Sequence, residues 1–431
     1  MKAVIMAGGQ GTRIVALNTE VPKPMIPIAG MPILEHQIRV LKYQGFTDVI
    51  LSIGYQGQKI QDYFGDGNKI SPITGEPFGV IIQYIEEKEP LGTAGALYYM
   101  RNMLTEDFLL LNGDIIFDVD LARFVRYHKR KGGLATIFTH PNGHPYDSGI
   151  LCADGDKKAT AWLHKEDNRI WYKNRVNAGI HILSAEVLGL PIFQDLHKID
   201  LDRDVLEPLI AEEALVVYDS PEYVKDMGTP DRYHEVSEDI RAGRIAAKNL
   251  SRKQKAIFLD RDGTLNKYVG FLRNIEELEL EQGAAEAVRK INSSGYLAIV
   301  VTNQPVIARG EITLEELEVI HEKLETLLGA EGAYLDAIYY CPHHPEKGFE
   351  GEAVDFKVEC PCRKPKPGMI LQAANDYNID LSESWMIGDS KIDVESGKNA
   401  GCRTILLSNE NGKRGEYNSL LEAVYAIYAK C

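Results

Sequence analysis

Short apolar runs alternate with longer amphipathic stretches along most of this chain. KAVIMA, DVILSIG, VIIQYIE and FLLLNGD have the length and the Val, Ile and Leu content of buried strands, whereas ILEHQIRVLKYQG and TAGALYYMRNML read as helices. The alternation predicts a βαβ series and a mostly parallel sheet from residue 1 to about 236. A second series starts at AIFLD and continues through a helix near 283–294, the run YLAIVVTN, a helix near 313–329, AIYYC, a helix near 367–377, SWMIGD and TILLS. Within the 313–329 helix, Leu314, Leu317, Ile320, Leu324 and Leu327 recur at helical spacing, the pattern of a face packed on a sheet rather than one offered to a partner. Between the two series, EDIRAGRIAAKNLSRKQK is polar and basic with no apolar stripe of useful length, and reads as helix plus linker. The expected fold class is α/β in two domains: a Rossmann-like domain over 1–237, a linker over 238–254, and a Rossmannoid domain over 255–431.

The size agrees, since 431 residues exceed the roughly 100–200 expected of one domain. With 44% hydrophobic and 26% charged residues the chain has the composition of a soluble globular protein, and no apolar run approaches the roughly 18 residues of a membrane span. Met1–Ala7 carries one lysine and a short apolar stretch, too short for a secretory signal, so a cytoplasmic location is expected. A net charge of −15 disfavours nucleic acid as a partner and leaves small phosphorylated molecules, which a few local cations can hold. Oligomerisation is left open. Of six cysteines, Cys341, Cys360 and Cys362 cluster, which points to metal rather than cross-links; Cys152, Cys402 and Cys431 are scattered and receive no role.

The opening strand runs into Gly8, Gly9 and Gly11, followed by Thr12 and Arg13. Glycines in such a turn let backbone N–H groups approach phosphate oxygens, and a guanidinium can add two parallel donors. Lys23, between Pro22 and Pro24, sits on a stiffened segment suited to holding one cation against phosphate. GQGTR, PKPM, LGTAGAL at 91–97, NGD at 112–114, VNAGIHIL at 176–183 and DMGTPDRY at 226–233 together resemble the sugar-1-phosphate nucleotidylyltransferases in order and spacing. That resemblance implies transfer of a nucleotidyl group to a sugar 1-phosphate with release of pyrophosphate. It implies that Gly8 to Arg13 cradle the triphosphate, that Gly92 and Thr93 line the nucleotide pocket with Asp114, and that Lys23 meets the reacting phosphates. Asp114 and Asp226 would hold Mg²⁺, and Lys165, Asn177 and Gly179 would contact the sugar phosphate. Lys165 stands in WLHKED where the family more often has a Glu-Lys pair, and a solvated surface lysine is its alternative. Turn or cap roles are the alternatives for Asn177 and Asp114. GTRIVALN replaces the commoner GTRLRPLT, which alters Ile14 to Leu17 and bears on sugar or base preference.

In the second half, AIFLDRDGT places Asp260 and Asp262 two positions apart at the end of an apolar strand, where α/β sheets bind ligands. With Thr302 and Asn303 after YLAIVVTN, Lys364 in CRKPKPG, and GDSKID at 388–393, this resembles the haloacid-dehalogenase-like phosphatases. The resemblance implies that Asp260 attacks phosphorus, that Asp262 is the acid and base, and that Thr302 and Lys364 steady the phosphoryl oxygens. Mg²⁺ would be held by Asp260, Asp389 and the carbonyl of Asp262, with Asp393 in support or, alternatively, as an idle helix-face residue. Only about 40 residues separate Asp260 from Thr302, which leaves no room for a large cap domain. Cys341, His343, Cys360 and Cys362 supply three thiolates and one imidazole, a set matching structural Zn²⁺, with His344 as the competing imidazole.

CPHHPE, CPCRKPKPGM and the TNQ and ARG tripeptides narrow the resemblance to heptose 1,7-bisphosphate phosphatases, with histidinol-phosphate phosphatase as close kin. Arg363 is then the candidate to read the second phosphate, and Pro305 and Val306 depart from the family's usual Ser-Gly. The two resemblances together imply an enzyme of activated heptose synthesis, in which a heptose 1-phosphate made at one site is nucleotidylated at the other with GTP, for lipopolysaccharide, surface-layer glycan or capsule. The alternatives are a hexose-1-phosphate nucleotidylyltransferase joined to a phosphatase of other specificity, and a nucleotide-sugar sensor governing the phosphatase.

Overall fold

A computed structural model describes residues 1–9, 20–348, 350–408 and 415–429. By its internal contacts the chain forms two compact units. Met1–His140, Leu151–Leu163 and Asn177–Asn249 make the first; Pro141–Ile150, His164–Val176 and Leu250–Cys431 make the second. The division is thus not a single cut in the sequence. Segment 164–176 groups with the second unit because Arg175 Nη1 pairs with Glu325 Oε1 at 3.2 Å, both residues buried, and Tyr172 N donates to Thr326 Oγ1 at 3.0 Å.

The main sheet of the first unit runs in the order Ala159–Leu163, Ile150–Ala153, Val176–Leu183, Phe108–Asn112, Ala3–Met6, Asp48–Ile53, Ile81–Glu86, with Ala135–His140 pairing off Val176–Leu183 and Leu215–Asp219 pairing in turn with Ala135–His140. Ala3–Met6 lies parallel to both neighbours. Ala3 and Ile5 pack with Val49, Leu51, Leu109 and Leu111 on one face, and Val4 packs with Ile50 and Leu110 on the other. A strand buried on both faces has no polar side to show, which is why these segments read as unbroken apolar runs. The chain leaves Ala3–Met6 toward one side of the sheet and returns on the other. Its carboxyl end is therefore the switch point where open α/β sheets form a crevice.

Two expectations are corrected here. TAGALYYMRNML is helical only over Leu97–Met100, because Gly92 bridges to Ile199 and Ala94 N donates to Ile199 O at 3.0 Å, which draws the preceding residues off a helical course. The segment from 238 also carries an apolar stripe after all: helices Pro230–Arg241 and Arg244–Ala247 bring Ile240 and Ile245 against Val236, Met227 and Ile28, inside the first unit.

The second unit holds five parallel strands in the order Ala337–Cys341, Tyr296–Asn303, Lys255–Leu259, Trp385–Gly388, Arg403–Leu406. Its order reverses at Lys255–Leu259, so the loop of Asp260 and Asp262 opens on the switch point. Helices Ala284–Asn292, Leu314–Ala330 and Gly368–Asp376 fall within a few residues of the expected spans. Leu314–Ala330 starts at a capping box of Thr313 and Glu316 and buries Leu317, Ile320, Leu324 and Leu328. It also buries His321, Lys323 and Glu325, which apolar periodicity does not foretell. Among the described residues no helix is long and apolar enough to cross a membrane.

Two candidate active sites

In the first unit the glycine turn follows Ala3–Met6 directly. A Cβ on Gly8 would come within 2.5 Å of Glu87 Oε1, a carboxylate that Ser52 Oγ and Leu91 N hold in place at 2.7 and 3.2 Å, so only glycine fits. Gly9 has open space beside it. Gly11, Thr12 and Arg13, with Ile14 to Leu17, lie outside the described residues. Lys23 opens a short helical turn after Pro22 and pairs with Asp114 at the end of Phe108–Asn112. Met227 N donates to Asp114 O at 2.8 Å, which brings Asp226 to the same end of the sheet. Its carboxylate accepts from Arg232 Nη1 at 2.9 and 2.8 Å and from Gly228 N at 2.8 Å. Two carboxylates, each already facing a cation, are the hard oxygen donors that Mg²⁺ favours.

Thr93 Oγ1 accepts from Leu201 N at 2.6 Å, next to a π-helical turn over Leu201–Leu206 of the kind that often marks functional sites. Asn177 donates to Asp202 Oδ1 of that turn at 3.1 Å and accepts from Gly179 N at 2.9 Å. Gly179 adopts a φ of 73°, and a Cβ there would stand 2.7 Å from Asn112 Nδ2. The predicted residues Asn177, Gly179, Gly92 and Thr93 therefore share one neighbourhood. Lys165 is exposed and belongs by its contacts to the second unit.

The second unit gathers its predicted residues around one buried cation. Lys364 Nζ donates to Asp260 Oδ1 at 2.7 Å, Asp393 Oδ1 at 2.6 Å and Val301 O at 2.8 Å. Asp393, expected only in support, thus touches the same lysine as Asp260, while Ser390 N and Oγ occupy its Oδ2 at 3.0 and 2.6 Å. Asp260, Asp389 and Asp393 offer oxygens within 4.8 Å of one another. Three carboxylates against one lysine leave the site short of positive charge. Burial, then the charge of Asp393, pushes the Asp260 carboxyl up to about 7 despite Lys364. A divalent cation supplies the missing charge, and the oxygen-only donor set fits Mg²⁺. Gly263, at a φ of 79°, admits Asp389, since a Cβ there would meet its Oδ2 at 2.7 Å. Asn303 exchanges two hydrogen bonds with the Lys364 backbone, at 3.0 and 3.1 Å. Thr302 Oγ1 accepts from Gln304 Nε2 at 2.9 Å.

Beside this crevice the three clustered cysteines meet one imidazole. The Sγ atoms of Cys341, Cys360 and Cys362 lie 3.1, 3.2 and 3.5 Å apart, and His343 Nδ1 is 3.3 Å from Cys362 Sγ and 3.7 Å from Cys341 Sγ. Tetrahedral bonds of zinc length set donor separations of roughly 3.5–3.8 Å, close to these values. His344, the competing imidazole, instead accepts from Glu346 N at 3.2 Å. Arg363 Nη1 donates to His343 O at 3.2 Å, which ties that guanidinium to the cluster.

Residues 2–243, more than half of the chain, match the nucleotidyl transferase family. The chain belongs to that family. Residues 361–427 match the HAD-like hydrolases. The D-glycero-beta-D-manno-heptose-1,7-bisphosphate 7-phosphatase of Pasteurella multocida is 42% identical over 178 residues, covering 40% of this chain and 93% of the relative. The enzyme of that name from Escherichia coli K12 is 36% identical over 187 residues, covering 41% and 96%. With nearly the whole of such relatives covered, the second half of the chain belongs to their family. Among solved structures, HddC from Yersinia pseudotuberculosis complexed with GMP-PN superposes with a TM-score of 0.45 at 26% identity, covering 56% of this chain and 99% of that one. The protein is thus a transferase and a phosphatase in one polypeptide.

Some residues of the nucleotidyltransferase and phosphatase sites escape a reading of motifs. Arg232, on Asp226, stands inside DMGTPDRY and could have been found from its place in the first turn of the helix Pro230–Arg241, capped by Thr229. Gln304 completes TNQ, and its amide joins Thr302 to Asp262 at 2.9 and 2.8 Å. Glu87 and Asp202 carry no local signal, because their partners are distant in sequence.

Proposed function

We propose that this chain removes the 7-phosphate of D-glycero-D-manno-heptose 1,7-bisphosphate in its phosphatase unit and transfers GMP from GTP to the resulting heptose 1-phosphate in its nucleotidyltransferase unit, releasing pyrophosphate. One observation carries the reading: a nucleotidyl transferase and a relative of heptose bisphosphate 7-phosphatases share one polypeptide. The product of the second is a sugar 1-phosphate, the substrate type of the first. The activated heptose would serve lipopolysaccharide or related surface glycans, made in the cytoplasm.

In the phosphatase unit Asp260 is the nucleophile, and its bond to phosphorus forms as the bond from phosphorus to the sugar oxygen breaks. Asp262 gives its proton to the departing oxygen, then takes one from the water that cleaves the aspartyl phosphate. Lys364, already on Asp260, and Thr302 neutralise and orient the phosphoryl oxygens. Asp260, Asp389 and the Asp262 carbonyl would hold Mg²⁺, which supplies charge neutralisation when bound. Arg363 reads the phosphate that stays, with Asn303 lining the crevice. Cys341, His343, Cys360 and Cys362 would hold structural Zn²⁺ and so fix the Arg363 to Lys364 segment.

In the nucleotidyltransferase unit no protein nucleophile is needed, because alignment and charge neutralisation suffice for in-line displacement at the α-phosphorus. Gly8, Gly9, Gly11, Thr12 and Arg13 cradle the triphosphate, and Lys23 meets the reacting phosphates. Asp114 and Asp226 would hold a second Mg²⁺. Gly92 and Thr93 line the nucleotide pocket, while Asn177 and Gly179 contact the sugar phosphate.

The test is to incubate the protein with heptose bisphosphate and Mg²⁺, offering each nucleoside triphosphate in turn and both anomers, and to identify products by mass. Phosphate, pyrophosphate and GDP-heptose are expected. Asp260→Asn should stop both phosphate and pyrophosphate release from heptose bisphosphate while leaving pyrophosphate release from added heptose 1-phosphate intact, and Asp114→Asn should stop pyrophosphate release alone. Failure to dephosphorylate the bisphosphate would overturn the proposal.

A further inference from the structure

Between the two aspartates of DRDGT stands an arginine, Arg261, whose side chain is 0% exposed. A guanidinium so removed from water needs a counter-charge and acceptors for its donors. Arg261 finds the charge in Asp262: Nε lies 3.2 Å and Nη2 3.0 Å from Oδ1, and Nη2 also lies 3.0 Å from Oδ2. Its remaining nitrogen, Nη1, lies 3.3 Å from Nε2 of His321, on the buried face of the helix Leu314–Ala330. Burial, then the nearby guanidinium, pushes the His321 imidazole well below its ordinary range, so the ring is neutral and Nε2 accepts. Asn266 Nδ2 adds a donor to Asp262 Oδ1 at 3.0 Å, and Gln304 Nε2 adds one to Oδ2 at 2.8 Å.

We infer that Arg261 and Gln304 are positioning residues for Asp262, fixing the orientation of its carboxyl group and stabilising the charge left there once its proton has gone to the leaving group. The inference rests on Asp262 being the acid–base group of the phosphatase. In the first step the Asp262 O–H bond breaks as the proton passes to the sugar oxygen, whose bond to phosphorus is breaking while Asp260 takes its place. In the second, water oxygen bonds to phosphorus, a water proton returns to Asp262, and Asp260 departs as carboxylate. Negative charge on Asp262 therefore appears between the steps, where Arg261 and Gln304 already point their donors. The grip on both oxygens is also what a small misplacement would spoil, since about 1 Å of error in a reacting group can cost about 10²-fold in rate.

A counter-ion kept only for folding and a group that positions the acid separate by leaving group. The full chain with Mg²⁺ is assayed on heptose bisphosphate, whose alkoxide must be protonated, and on 2,4-dinitrophenyl phosphate, whose phenolate leaves without a proton. Arg261→Lys and Gln304→Leu should lower kcat on the sugar ester by about 10- to 100-fold with KM little changed. Arg261→Lys should leave the rate of the first phenolate burst unchanged, and Gln304→Leu, which also frees Thr302, should lower it far less than it lowers turnover of the sugar ester. Equal losses on the two esters, or an effect on KM alone, would overturn the inference. Asp262→Asn serves as reference: if it loses both esters equally, the acid–base reading itself is wrong, whereas a selective loss there without one in Arg261→Lys and Gln304→Leu sinks the positioning role only. Should Arg261→Lys fail to fold, Gln304→Leu decides.

Discussion

Lys364 donates to Asp260 at 2.7 Å from a side chain that is only 3% exposed. Asp393 shares the same ammonium, so two carboxylates depend on one buried cation. Burial works against the charge of Lys364, yet the two carboxylates hold it above the ordinary lysine range. Lys364→Met would strand both anions, and breaking a buried pair by removing one partner costs about 3–5 kcal/mol. We expect loss of phosphate release and destabilisation of the phosphatase unit toward the low end of that range, read by denaturant unfolding with and without Mg²⁺. Pyrophosphate release from added heptose 1-phosphate and GTP should persist. Unchanged stability would contradict the charge balance described for this site.

The four-donor cluster predicts one zinc per chain by elemental analysis. Burial pushes the Cys341 thiol up, so a thiolate there is unfavourable until a cation compensates it. Cys360→Ser should lower zinc content and, through the link from His343 O to Arg363, weaken turnover of the bisphosphate more than the nucleotidyl transfer. Full zinc retention in Cys360→Ser would remove that residue from the ligand set.

Strands were legible because burial on both faces forces unbroken apolar runs, as in YLAIVVTN, where residues 296–302 are buried. The positions of Asp260 and Lys364 were legible for a related reason: a parallel sheet presents its strand ends at one edge, and motif order fixes which ends meet. Buried charge was not. Arg261, His321, Arg175 and Glu325 look like solvated residues in a sequence, and each is buried only because a partner from another segment satisfies it. The same blindness explains the domain boundary, since nothing in WLHKEDNRIWYKNR reports that Tyr172 and Arg175 find partners more than 140 residues away. Departures from regular periodicity around Gly92 and in 201–206 likewise arise from pairing across the fold.

Glu322, on the helix Leu314–Ala330, gives a pH dependence. Burial, then the neighbouring charges of Glu318 and Glu325, pushes its carboxyl up to about 7 against the opposing charge of Lys173. A carboxyl raised in the folded state contributes stability that is fully present below its unfolded value of about 4.3 and is lost as pH rises through about 7. Glu322→Gln should therefore match the parent protein near pH 4.5 and exceed it at pH 8. After discounting for its partial exposure the gain is about 1–2 kcal/mol, measured by urea unfolding across that window. A difference that is constant with pH would show that ionisation of Glu322 is not its source.

Gly92 tests the proposed nucleotide pocket without touching a charge. Its φ of 81° lies in the left-handed region, where a side chain costs of order 1 kcal/mol or more, and a Cβ would come within 2.3 Å of Ile199 O, a backbone atom that cannot swing aside. The bridge from Gly92 to Ile199 leads directly into the turn that carries Asp202, the partner of Asn177, and Leu201 N rests on Thr93. Gly92→Ala should thus displace the 91–94 loop and the Asn177 support together. We expect a loss of roughly 2–4 kcal/mol in the nucleotidyltransferase unit by denaturant unfolding, from backbone strain plus the displaced strand bridge. Pyrophosphate release should fall in step, with heptose bisphosphate dephosphorylation intact. If Gly92→Ala instead unfolds with unchanged midpoint and keeps its nucleotidyl transfer, the close approach to Ile199 is not what shapes this pocket.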